Sequence, residues 1–101
     1  MDVFPKFIIE DDSLILSKVT YHRHLMTDRT KVRGGGWYNY DNDSKTFTFF
    51  GKSEEFGKAT IDDIKKCIDS GNVYTNKSKM FDKSKDFKFL YATDTEYIEL
   101  N

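Results

Sequence analysis

The chain has 101 residues, 33% of them charged, 38% hydrophobic and 16% aromatic, with a formal net charge of -1. That length supports a single domain, residues 1–101, around one core. The near-neutral balance argues against a dedicated nucleic-acid binder, which carries a basic excess, and the lone Cys67 excludes an intrachain disulfide or a Cys-x-x-Cys metal motif.

The opening stretch, MDVFPKFIIEDD, has acids beside a very short apolar run, and no run in the chain approaches the length of a membrane span. Its cysteine usage fits a reducing compartment, and a cytoplasmic location is expected. KFII (6–9) and SLILSKVTYHRH (13–24) read as strands around the acidic turn EDD. If the second strand runs to its end, His22 and His24 project from one face. Two imidazoles are too few for a zinc site, so no metal is expected. As a pair they could contact an anion, or act as acid and base in phosphodiester cleavage.

KVRGGGWYNY (31–40) comes next. Successive glycines can aim several backbone N–H groups one way and form a concave anion site. With Lys31 and Arg33 before Gly34, Gly35 and Gly36, and Trp37 after them, the stretch can be read as a cradle for a nucleotide-like anion. The competing reading is a bent strand entry. No Gly-Lys-Ser/Thr ending and no following helix make it a P-loop.

GWYNY (36–40) and TFTFF (46–50) flank the polar DNDSK and form a hairpin pattern. GKSEEFGKA (51–59) reads as a loop that could face the first, with Lys52 and Ser53 as contacts. The spacing then predicts a helix over about 61–70. Thr60 is a fit N-cap, Asp62 and Asp63 lie in the first turn, Gly71 follows the end, and Ile61, Ile64 and Ile68 form an apolar stripe beside Cys67. A lysine-rich stretch spanning 77–88 carries Met80 and Phe81. Two late strands, FKFLYA (87–92) and EYIEL (96–100), close the chain.

The expected class is α+β: a mostly antiparallel sheet of five to six strands, open to strong curling, with one helix packed on it. No serine-hydrolase elbow, thiol–histidine pair or cofactor fingerprint is present, so no catalytic residue and no cofactor are expected. In general composition the chain resembles small accessory proteins of bacteriophages. That resemblance implies binding: sequestering a nucleotide-like signal, or blocking an acidic host protein such as a defence nuclease.

The leading expectation is a non-enzymatic module holding a small anionic ligand. Its site is His22, His24, Lys31, Arg33, Gly34, Gly35, Gly36 and Trp37, completed across a homo-oligomer interface. A protein-interaction module is the alternative, and a phosphodiesterase built on the His-x-His pair ranks third.

Overall fold

The computed structural model describes residues 3–75, 78–79 and 86–101. The strands are β1 (Phe4–Glu10), β2 (Ser13–Val19), β3 (Val32–Asp41), β4 (Thr46–Phe50), β5 (Val73–Thr75), β6 (Ser78–Lys79), β7 (Lys88–Ala92) and β8 (Tyr97–Glu99). One α-helix, α1 (Ile61–Asp69), lies between β4 and β5, and two short 3-10 turns, His22–His24 and Arg29–Lys31, lie between β2 and β3. The class is α+β, with a curled sheet and one helix.

The strands form one sheet in the order β6-β5-β2-β1-β3-β4-β7-β8. It is a mixed sheet, seven strands and a two-residue edge piece, where a mostly antiparallel sheet of five to six was expected. β2 pairs in parallel with β5, and β4 with β7, while the other neighbours are antiparallel. The reason is the helix. After crossing one face of the sheet the chain returns as β5, in the same direction as β2, and the three residues of β5 are too short to show alternation in sequence. Most of the lysine-rich stretch 77–88, with Met80 and Phe81, lies outside the described residues.

Local chemistry accounts for the boundaries. Asp11 turns the β1–β2 corner with φ 52°, and its N–H donates to the Lys31 carbonyl at 2.9 Å. Thr60 Oγ1 accepts from the Asp63 N–H at 3.1 Å at the start of α1. At its end Gly71 takes φ 73°, so that Gly71 N–H reaches the Ile68 carbonyl and Asn72 N–H the Cys67 carbonyl, at 3.1 and 2.9 Å. This is the left-handed cap that glycine permits.

The main core lies between α1 and one face of the sheet. Ile64, Cys67 and Ile68 join Phe7, Ile9, Leu14, Leu16, Phe49, Val73, Phe89 and Leu100. Phe89 stacks between Phe47 and Phe49, with centroids 5.5 and 6.2 Å away, which joins β4 to β7. Burial pushes the Cys67 thiol up to about 11, with Asp12 and Asp63 adding to it, so it is protonated and unreactive at neutral pH. Among the described residues no helix is long and apolar enough to cross a membrane.

The opposite face of β1 is also covered. Phe7 to Glu10 are all buried, so Lys6, Ile8 and Glu10 point away from the main core into the segment 20–31. The strand predicted over 13–24 stops at Val19, and the chain folds over this second face.

Gly34, Gly35 and Gly36 are interior residues of β3, paired with Ile9, Ile8 and Phe7. A Cβ on Gly35 would stand 2.5 Å from the Phe7 carbonyl oxygen, and one on Gly36 2.7 Å from the Phe50 carbonyl oxygen. Backbone cannot step aside as a side-chain tip can. Gly35→Ala is therefore expected to destabilise the fold by about 1–3 kcal/mol, the range for overpacked interiors. A urea unfolding curve checks this: the midpoint falls while the slope stays unchanged.

Candidate functional site

The segment 20–31 is held to β1 by two buried charged residues. Glu10 accepts from the Thr27 N–H at 2.7 Å, the Thr27 hydroxyl at 2.7 Å and the Asp28 N–H at 2.8 Å. Burial alone would raise its pKa. These three hydrogen bonds, led by that from Asp28, outweigh the burial and hold the carboxyl below the usual carboxylate range. At the other end of the face, the Lys6 ammonium donates to the Thr20 carbonyl.

Lys6 is only 8% exposed and has no carboxylate partner among the described residues. Its Nζ lies 5.0 Å from the Trp37 ring centroid, 5.9 Å from that of Tyr21 and 6.0 Å from that of Phe4. Aromatic faces attract a cation where water is scarce. They support the charge without neutralising it.

His22 opens the first 3-10 turn and is 5% exposed. The bare Gly35 makes room for it, since a Cβ there would sit 3.2 Å from the imidazole Cδ2. His22 Nε2 lies 2.8 Å from the Gly36 carbonyl oxygen. A carbonyl can only accept, so Nε2 carries the proton and Nδ1 of the neutral ring is an acceptor. Burial pulls the His22 pKa down and Lys6 adds to this, against smaller upward effects of the Gly36 carbonyl and Glu55. The ring is neutral at pH 7. Among the described residues Nδ1 has no hydrogen-bond partner. No fully enclosed side-chain nitrogen or oxygen among the described residues is left without one, so Nδ1 is not fully enclosed.

The residue lines a cavity of about 460 Å³, walled by Lys6, Thr20, Tyr21, His22 and Trp37, with Lys52, Glu54 and Glu55 contributed by the loop after β4. The loop is fixed from behind. Ser53 N–H donates to the Gly35 and Gly57 carbonyls at 3.2 and 3.3 Å, Gly35 N–H to the Gly57 carbonyl at 3.0 Å, and Phe56 N–H to Ser53 Oγ at 3.1 Å. The N–H groups of Glu54 and Glu55 have no acceptor among the described residues. The cavity walls thus bring together two lysines, an indole and an imidazole.

The structure divides the residues picked out in sequence. His22 and Trp37 share this cavity, with ring centroids 6.2 Å apart, and Gly35 and Gly36 lie behind it. The glycines are not an anion cradle: the triplet is strand, and the Gly35 N–H is already engaged by Gly57. His24 does not share a face with His22. It is exposed, edge-on to Tyr21 at 5.5 Å.

Lys31 pairs with Asp11 at 3.7 Å and Arg33 with Asp63 at 3.7 Å. Arg33 and Asp63 line a separate cavity of about 440 Å³ with Asp11, Asp12 and Lys66. Among the described residues no group of three or more His, Cys, Asp or Glu side chains could hold a metal. Lys6 was the residue missed. Its signal was a lysine inside the apolar run FPKFII, where a charge in a buried strand calls for a reason.

The family model described as Janus/Ocnus matches residues 10–78. The chain belongs to the Janus/Ocnus family. No curated protein and no solved structure matches it. The span that matches the Janus/Ocnus model takes in His22, Trp37 and the loop 51–57, while Lys6 and β7 and β8 lie outside it.

Glu10 sets a pH dependence for the whole arrangement. Its folded pKa is depressed, so its contribution is full above the ordinary carboxylate range and is lost as pH falls through the lowered value. Glu10→Gln is expected to lose about 1.5–3 kcal/mol at neutral pH, the range for hydrogen bonds to a charged group. It should also flatten the acid limb of stability against pH, as measured by urea unfolding from neutral pH down through the carboxylate range.

Proposed function

We propose that the His22 cavity receives the anionic group of a small ligand, a phosphoryl or similar oxyanion group. The observation that carries this reading is Lys6: a buried ammonium at the cavity wall, held by a carbonyl and aromatic rings, with no carboxylate in salt-bridge contact among the described residues. Lys52 adds charge at the rim, and the unpaired amides of Glu54 and Glu55 can donate to oxyanion oxygens, as backbone N–H groups do at phosphate sites. Trp37 and Tyr21 supply flat apolar walls for the rest of the molecule. The reading keeps the small-anion expectation and relocates it from the glycines to the cavity in front of them.

A second reading goes further, and the state of His22 favours it. A neutral imidazole gives a bound anion no charge, but its Nδ1 lone pair can take a proton or attack phosphorus. The Nε2–H bond to Gly36 fixes the tautomer that makes this possible. On this reading the chain hydrolyses or transfers a phosphoryl group, with His22 as base or nucleophile and Lys6 stabilising charge on the phosphoryl oxygens.

Titration with inorganic phosphate, followed through the His22 ring resonances, tests the first reading. Saturable shifts at His22 are expected, with affinity lowered about tenfold in Lys6→Met, equivalent to one charged hydrogen bond. An unresponsive His22, or binding indifferent to Lys6, would overturn it. For the second reading, release of phosphate from a simple aryl phosphate should vanish in His22→Asn while phosphate still binds. It should also fall on the acid side as Nδ1 becomes protonated.

A further inference from the structure

Beside the His22 cavity two guanidinium groups converge on one carboxylate. Arg23 Nη1 lies 3.7 Å from Glu55 Oε1, and Arg29 Nη1 lies 3.8 Å from Glu55 Oε2. Each arginine is steadied by a ring: Arg23 stands 4.1 Å from the Tyr21 centroid and Arg29 5.1 Å from that of Phe56. Glu55 and Tyr21 are themselves walls of the cavity. We infer that Arg23 and Arg29 form a second anion subsite at the mouth of this cavity, occupied in the free chain by Glu55, so that the preferred ligand carries two linked phosphoryl-type groups.

Three features support this. First, the charges do not balance: Lys6 and Lys52 line the cavity, and Arg23 and Arg29 pair with its wall residue Glu55, against the two carboxylates of Glu54 and Glu55. One carboxylate shared by two arginines leaves positive charge for a second anion. Second, the pairs are loose. Both separations exceed hydrogen-bond length, neither is a two-pronged fork, and the arginine side chains are 47% and 60% exposed. A diphosphate offers more oxygens at higher charge density and can displace such a partner.

Third, the backbone beneath Glu55 is fixed by the Ser53, Gly57 and Gly35 hydrogen bonds. Releasing both arginines therefore needs only a rotation of the Glu55 side chain. The stacked rings keep the guanidinium groups in place when Glu55 leaves, which preserves the orientation needed to grip phosphate oxygens.

The inference rests on the small-anion reading of the cavity, and one experiment separates the two. The 101-residue chain is titrated calorimetrically with inorganic phosphate and with pyrophosphate. It is compared with Glu55→Gln and with Arg23→Gln combined with Arg29→Gln, thermal melts confirming that each variant folds. Pyrophosphate is expected to bind the unmodified chain about tenfold more tightly than phosphate. Glu55→Gln should strengthen pyrophosphate binding several-fold, and by clearly more than it strengthens phosphate binding. The double arginine variant should bind both anions alike.

If phosphate binds but pyrophosphate binds no better, or if the preference survives loss of both arginines, the subsite is wrong and the cavity reading stands. Binding of neither anion overturns both. A purely structural strap would show in Glu55→Gln as a lower melting temperature with no gain in pyrophosphate affinity, and that outcome also rejects the subsite.

Discussion

The closeness with which other parts of the chain press on β3 at residues 34–36 is the constraint from which the rest follows. No side chain separates Gly34, Gly35 or Gly36 from what lies against them. Three layers use the space so freed: the Phe7 carbonyl of β1, the His22 ring, and the backbone of residues 57–59, where a Cβ on Gly34 would stand 2.8 Å from the Ala59 nitrogen. A larger residue would push the imidazole out of reach of the Gly36 carbonyl and lift the 51–57 loop from its support. The glycines are thus chosen for thinness, and their effect on the site is indirect. They let an ionisable ring and the loop 51–57 meet over the same strand.

β1 converts this closeness into a two-sided architecture. Toward α1 it shows Phe7 and Ile9 to an aromatic and aliphatic core. Toward the segment 20–31 it shows Lys6, Ile8 and Glu10, two of which are charged and buried. A buried charge is tolerated only when its hydrogen bonds are met. Glu10 meets its own with main-chain amides, which fixes the segment. Lys6 is met by one carbonyl and aromatic faces, which leaves its charge effective. The same strand therefore anchors the segment at one end and polarises a cavity at the other.

Much of the architecture was legible in the residues. The helix was announced by Thr60, the Asp pair, the isoleucine spacing and Gly71, each acting within a turn of its place. The β3–β4 hairpin was announced by DNDSK. Both signals are local. The two parallel pairings are not, because they depend on where α1 returns the chain, and β5 is too short to carry a pattern. The end of β2 was misread because SKVTYHRH alternates acceptably as a strand. The Glu10 and Lys6 bonds that pull residues 20–31 off the sheet come from residues ten or more positions away. The candidate site divides in the same way. His22 and Trp37 were legible as unusual residues beside glycines, whereas Lys31 and Arg33, adjacent in sequence, turn to Asp11 and Asp63 on another side. Lys31 stands in the second 3-10 turn, and the register shift that pairs Ile9 with Gly34 but Glu10 with Val32 skips Arg33, so its even spacing from Trp37 does not keep the two on one face.

Trp37 is the chain's only tryptophan. Its indole lies against Gly51, below the Lys6 ammonium and edge-on to His22. Excited selectively at the red edge, beyond tyrosine absorption, it gives an emission that arises from a single place. A charge gained or lost on the neighbouring imidazole, or a solute displacing solvent from beside the ring, alters the field around that chromophore directly. The molecule thus carries an intrinsic optical reporter in the wall of the cavity that His22 also lines, with no label to perturb it.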